Sequence, residues 1–136
     1  MTLVIQDEGL KNKLESVRST WNSTALKLHL YKTNVTPSTS STVGSFTECD
    51  FAGYAAQNIV TWGPAAVTSH VAKIVAAANT FTRSSTGAGQ TVYGYYVTDS
   101  GSTLLQFAEL DPGGPRTLTN AGDSVTVTVE MSDQSL

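Results

Sequence analysis

Charge is what this chain has least of. Only 14% of its 136 residues are charged, against about 25% in an average soluble domain. The eight lysines and arginines are scattered without a run, and the formal net charge is −3. A nucleic-acid partner requires a basic patch that neutralises phosphates, so the composition argues against one. The single cysteine, Cys49, excludes an internal disulfide and leaves a cysteine-based zinc site without its ligands. No apolar run approaches the ~18 residues of a membrane span. "MTLVIQDEGLK" lacks the basic start and long apolar core of a secretory signal. There is no GxxxxGK[ST], and no glycine cluster leads into a helix, so no phosphate loop is expected.

Threonine, serine, valine, alanine and glycine fill the place of the missing charge. The length is that of one domain, able to bury roughly 70% of its unfolded surface without staples. "QDEGLKNKLESVRSTW" is the one good amphipathic helix. Leu10, Leu14, Val17 and Trp21 fall at i, i+4, i+7 and i+11, forming one apolar stripe. Asp7 is placed to cap it, and Asp7 and Glu8 suit the positive end of its dipole. "TLVI" before it is a short strand or a docking arm.

After Trp21 the period changes to two. "ALKLHLYK" puts Leu26, Leu28 and Leu30 on one face and Lys27, His29 and Tyr31 on the other, taken as outer. "TNVTPSTSSTVGS" is a loop. "FTECDFAGYAAQNIVTW" holds a short strand, a break at Gly53 and a second strand. "SHVAKIVAAANTFTR" fits one or two strands. "TVYGYYVT", "DSGS" and "TLLQFAEL" make a hairpin. "DPGGPRTLTNAGD" is a loop with a very short strand at 117–119. "SVTVTVEM" closes the chain with Val125, Val127 and Val129 inward. The expected fold is mainly β: an antiparallel, jelly-roll-like β-sandwich of about seven or eight strands spanning 23–136, preceded by an arm and helix at 1–22.

Candidate chemistry is sparse. A metal site would require both His29 and His70 to converge with a carboxylate; they read more simply as surface or boundary residues. Glu48, Asp50, Asp99, Glu109, Asp111 and Asp123 are the candidates for a glycosidase pair. Asp99, Asp111 and Asp123 sit where turn chemistry places Asp. Glu48 and Asp50 flank Cys49 on one outer face. Those acidic neighbours suppress a thiolate, so Cys49 reads as a small buried or half-buried strand thiol. Asn22 and Asn34 match the glycosylation sequon in a Thr-rich chain. Tyr93 and Tyr95 share a face opposite Tyr96; exposed, they could stack on sugar rings, and otherwise they belong to core or a subunit contact. No catalytic, cofactor-binding or metal residue is expected.

"LKLHLYKTNVTP…FTECDFAGYAAQNI" resembles a pattern in small virion proteins of tailed phages, where an L-x-L-Y-x-N-x-x-P strand and loop lead to F-T-E-x-x-F-x-G-Y. "TVYGYYVTDSGSTLLQFAEL" resembles a hairpin further along in those proteins, "GDSVTVTVEM" their last strand and "DEGLKNKLE" their opening helix. The resemblance spans nearly the whole chain and departs most at "AAVTSHVAKIVAAANTF". It implies a jelly-roll capsid cement or decoration protein on the virion surface. Such a protein binds the major capsid protein, commonly as a trimer, without catalysis, cofactor, nucleic acid or membrane. The expected interface is Leu10, Leu14, Val17 and Trp21 of the helix with Tyr93 and Tyr95. The alternatives are a carbohydrate- or receptor-binding module of a tail fibre and a small hydrolase.

Overall fold

The structure, a computed structural model, describes residues 4–103 and 105–134. The chain is mainly β, with one long helix and antiparallel sheets in the manner of a β-sandwich. Helix α1 (Asp7–Ser23) is followed by β1 (Leu26–Tyr31), β2 (Gln57–Ile59), β3 (Ala66–Thr68), β4 (Val71–Val75), β5 (Asn79–Thr82) and β6 (Gln90–Val92). Then come β7 (Gly94–Thr98), β8 (Leu105–Leu110), β9 (Arg116–Leu118), β10 (Ser124–Val127) and β11 (Glu130–Gln134). Two compact units are formed: Met1–Ala25 with Ile59–Ala78 and Thr128–Leu136, and Leu26–Asn58 with Asn79–Val127.

In the first unit α1 lies on the antiparallel sheet β11-β4-β3. Strand β4 alternates as period two requires, with Ala72 and Ile74 buried and Val71, Lys73 and Val75 turned outward to differing degrees. Leu10 and Leu14 are buried from the helix side. Burying such a leucine contributes about 1.5–3 kcal/mol. Trp21 meets Trp62 at 5.0 Å between ring centroids. The helix therefore belongs with β3, β4 and β11, where the sequence set it apart as an arm at 1–22. Its N-cap is Gln6, whose side chain makes no capping bond. Asp7 instead turns its carboxylate to His70 Nδ1, 2.9 Å away.

The second unit is built on the antiparallel sheet β2-β1-β7-β8. Leu28 faces Val97, His29 faces Tyr96 and Leu30 faces Tyr95 across the β1–β7 ladder. Strand β1 is buried on both faces. Leu26, Leu28 and Leu30 fill one side, and His29 and Tyr31 the other. The second side is closed by the hydroxyl-rich loop after β1, through Val35, Val43 and Phe46. Strands β5–β10 and β6–β9 pair separately. Tyr54 ties one of these pairs to the main sheet: its ring stacks on Phe81 at 5.7 Å while its Oη accepts the Leu30 N–H at 3.1 Å.

Among the described residues eleven short strands stand where seven or eight longer ones were expected, in part because two apolar runs change sheet partway. "TVYGYYVT" divides at Tyr93, so β6 pairs with β9 and β7 with β1 and β8. "SVTVTVEM" divides after Val127, so β10 pairs with β5 and β11 with β4.

Candidate functional site

The most organised polar constellation lies on the aromatic face of β1. His29, expected on an outer face, is 3% exposed. Its ring stacks on Tyr96 at 4.6 Å and 5°, and Tyr96 stacks on Phe46 at 5.2 Å and 14°. Strand pairing explains this: His29 and Tyr96 are directly opposed across the ladder. His29 Nδ1 lies 2.8 Å from Glu48 Oε1, and Nε2 lies 3.0 Å from Thr98 Oγ1. Glu48 Oε1 also accepts the Tyr54 hydroxyl proton at 2.7 Å, and the Thr98 hydroxyl donates to the Asp99 carbonyl at 2.9 Å.

The ends of this chain fix its direction. The Leu30 N–H can only donate and the Asp99 carbonyl can only accept. The carboxylate accepts from both Tyr54 and His29. Nε2 faces the Thr98 hydroxyl, which also reaches the Asp99 carbonyl. Carboxylate, imidazole and hydroxyl thus stand in the order of a nucleophile relay. However, Thr98 has no exposed surface, so no substrate reaches the hydroxyl. What the arrangement does is join β1, β7 and the segment at Glu48. Burial, and then the bond to Glu48, holds the Tyr54 phenol above its ordinary range. Burial likewise pushes Tyr96 up to about 12.

Cys49 is buried beside this network, and burial raises its thiol to about 12. Glu48 and Asp50 flank it as expected, but they serve different partners. Asp50 lies 2.7 Å from Lys32 Nζ and accepts from Gln90 Nε2; these bonds hold its carboxyl below the usual value. The turn aspartates are turn residues. Asp99 accepts the Thr103 N–H at 2.8 Å, Asp111 the Gly113 N–H at 2.8 Å, and Asp123 the Thr119 and Asn120 N–H groups at 2.7 Å. Glu109 accepts the Tyr95 hydroxyl. Among the described residues no group of three or more His, Cys, Asp and Glu is arranged to hold a metal ion. Among them, too, no helix is long and apolar enough to cross a membrane.

The expected interface residues fall into two kinds. Leu10 and Leu14 are buried within the chain's own first unit, so the helix stripe is not a free anchor. Val17 and Trp21 are half-buried. The helix is also held by polar bonds along its length. Glu15 Oε1 accepts the Ala65 N–H at 2.6 Å, Asn22 Oδ1 accepts the Trp62 N–H at 2.8 Å, and Lys13 pairs with Asp133. Asn22, the first sequon asparagine, is thereby occupied. Tyr95 is buried at 5% exposure and Tyr93 is half-buried. The two do not form one platform: Tyr93 packs with the Tyr31–Phe46–Tyr96 cluster, on the side opposite Tyr95. The interruption before β7 shifts Tyr93 out of the alternation that the sequence suggested.

Apolar surface remains elsewhere. Val4 and Ile5, 58% and 41% exposed, precede the helix, and Val60 and Val75 add to the open apolar surface of the first unit. Leu110 is exposed at the end of β8 in the second. No protein-family description, no curated protein and no solved structure matches this chain.

Proposed function

We propose that this chain is a non-enzymatic structural protein of a tailed-phage particle. In this reading it is a cement or decoration protein that binds the major capsid protein at the capsid surface as a homo-oligomer, most simply a trimer. One observation carries the reading. The segments that resemble the phage virion pattern are neighbours in space as well as in order. "LKLHLY" is β1, "FTEC" meets it through the Tyr31–Glu48 bridge, and "GYYVTDSGSTLLQFAEL" is the β7–β8 hairpin beside it. Adhesion would use open apolar surface, and Val4, Ile5, Val60 and Leu110 supply some.

Purified particles of the encoding phage test this. Mass spectrometry is expected to find the protein in the head at a copy number tied to the shell subunits, and heads stripped of it are expected to rupture at lower temperature. Its absence from particles would overturn the proposal. The glycan-binding alternative loses its aromatic platform with Tyr95 buried and Tyr93 half-buried. A glycan array with the recombinant protein is expected to be blank, and a saturable sugar ligand would favour that alternative.

A further inference from the structure

The four-stranded sheet of the second unit ends at β8, and among the described residues no strand pairs with its outer edge. β8 is six residues long, "LQFAEL", and ends the four-stranded sheet. The Asp111 N–H donates to the Tyr93 carbonyl at 2.9 Å. By antiparallel alternation, the backbone groups of Glu109 and Phe107 also face β7. Those of Ala108 and Leu110 therefore face outward, and neither carries a charge; the register shifts beside Gln106. Natural edges are blunted by charge, shortness or cover. The edge strand β11 carries Glu130 and Asp133, both ion-paired. β2, β3, β6 and β9 are three residues each. β8 is longer than these, and its one charge, Glu109, is bonded to the Tyr95 hydroxyl. A groove of about 440 Å³ runs along it, walled on its other side by Pro37, Ser38, Thr39 and Ser41.

The first unit has the matching piece. Residues 4–6 precede α1, with Gln6 at φ −71° and ψ 158°. Val4 and Ile5 are exposed, and among the described residues no strand pairs with them. "TLVIQ" is uncharged and rich in β-branched residues, a sequence suited to an added strand.

We infer that the Val4–Gln6 arm of one copy adds as a strand to the β8 edge of a second copy, pairing with the outward backbone groups of Ala108 and Leu110. Its side chains alternate, and those on one face enter the groove beside Pro37. Each chain has one donor and one acceptor, so the contact is heterologous and propagates until a ring closes. This contact joins copies of the chain, so it deepens the homo-oligomer part of the proposed function and is independent of the capsid part.

The test uses the full chain without particles. Sedimentation and light scattering are expected to show oligomers at tens of micromolar. Val4→Asp with Ile5→Asp removes the donor, and Ala108→Pro removes an outward N–H from the acceptor. Each variant alone is expected to weaken association about tenfold or more while keeping the wild-type melting profile. Mixed, the two still share one intact arm and one intact edge, and are expected to form a heterodimer. Leu110→Lys replaces Ala108→Pro if the proline disturbs folding. A monomeric wild type, a donor variant that assembles like wild type through β8 alone, or a mixture that stays monomeric overturns the inference. Failure here leaves particle binding untouched, and absence from particles leaves this contact untouched.

Discussion

At the scale of single residues, His29 shows how a polar group becomes core. Its burial is tolerable because both ring nitrogens are bonded and the ring is stacked, which offsets desolvation that would otherwise cost several kcal/mol. The cost of breaking the chain depends on where it is cut. Glu48→Ala removes the acceptor for both His29 Nδ1 and the Tyr54 hydroxyl and leaves a buried donor unpaired. Urea unfolding is expected to show a loss of about 1–3 kcal/mol. A variant as stable as wild type would mean that the network is not what holds the segment at Glu48 to β1. Alternation in "LKLHLYK" sorted the residues correctly into two sets. It could not reveal that the second set is also covered, because the cover comes from Phe46 and the loop before it. The aromatic Tyr31 among the supposed outer residues was the available sign.

At the scale of elements, α1 is where sequence and structure are most instructive together. The i, i+4 spacing of Leu10 and Leu14 identifies the buried face, but a stripe says nothing about what lies against it. β4 and β11 supply that surface from 60 and 120 residues further along, at a separation that local periodicity does not encode. Leu14→Asp is therefore expected to bury a carboxylate between α1 and its sheet with no partner. The expected cost is at least about 3 kcal/mol, read as loss of helical ellipticity on mild heating. A variant that keeps the wild-type melting curve and loses only self-association would restore the helix as an intermolecular anchor. Gly94 is another element-scale constraint. A Cβ there would sit 2.2 Å from the Glu109 carbonyl and 2.6 Å from Tyr31 Oη, so the close approach of β7 to its neighbours requires glycine. The turn aspartates and the hairpin were legible because their chemistry is local. The sheet changes at Tyr93 and after Val127 were not, because each run stays apolar while its partner changes.

At the scale of the whole molecule, few charges mean that each ionic contact weighs more in the response to pH. Asp123 is held below the ordinary carboxyl value by the Asn120 and Thr119 N–H groups, and Asp50 by its bonds to Lys32 and Gln90. Glu15 is held down by the Ala65 N–H and Arg18, and Asp133 by Lys13. In every case the folded value is depressed, so the unfolded chain binds protons first as pH falls. The stability these groups contribute is complete above the unfolded values of 3.8 and 4.5 and drains away as pH drops through the folded ones. Asp50 is exposed and Glu15, Asp123 and Asp133 are half-buried, so solvent screens each contribution. The urea midpoint is expected to fall progressively below about pH 5. A midpoint unchanged down to about pH 2.5 would show that these bonds are as available in the unfolded chain.

The first unit takes its strands and helix from three separated stretches, the last of them Thr128–Leu136. On the ribosome this imposes an order of events. Helix α1 emerges well before β11, which pairs with β4 and carries the Asp133 partner of Lys13. The second unit has all of its chain once Val127 has left the exit tunnel. The stripe of Leu10 and Leu14 therefore waits, without its complete sheet, until β11 has been made. A nascent chain stalled just before β11 would hold a finished second unit and an apolar helix still lacking part of its cover, the form of this protein most open to capture by a chaperone.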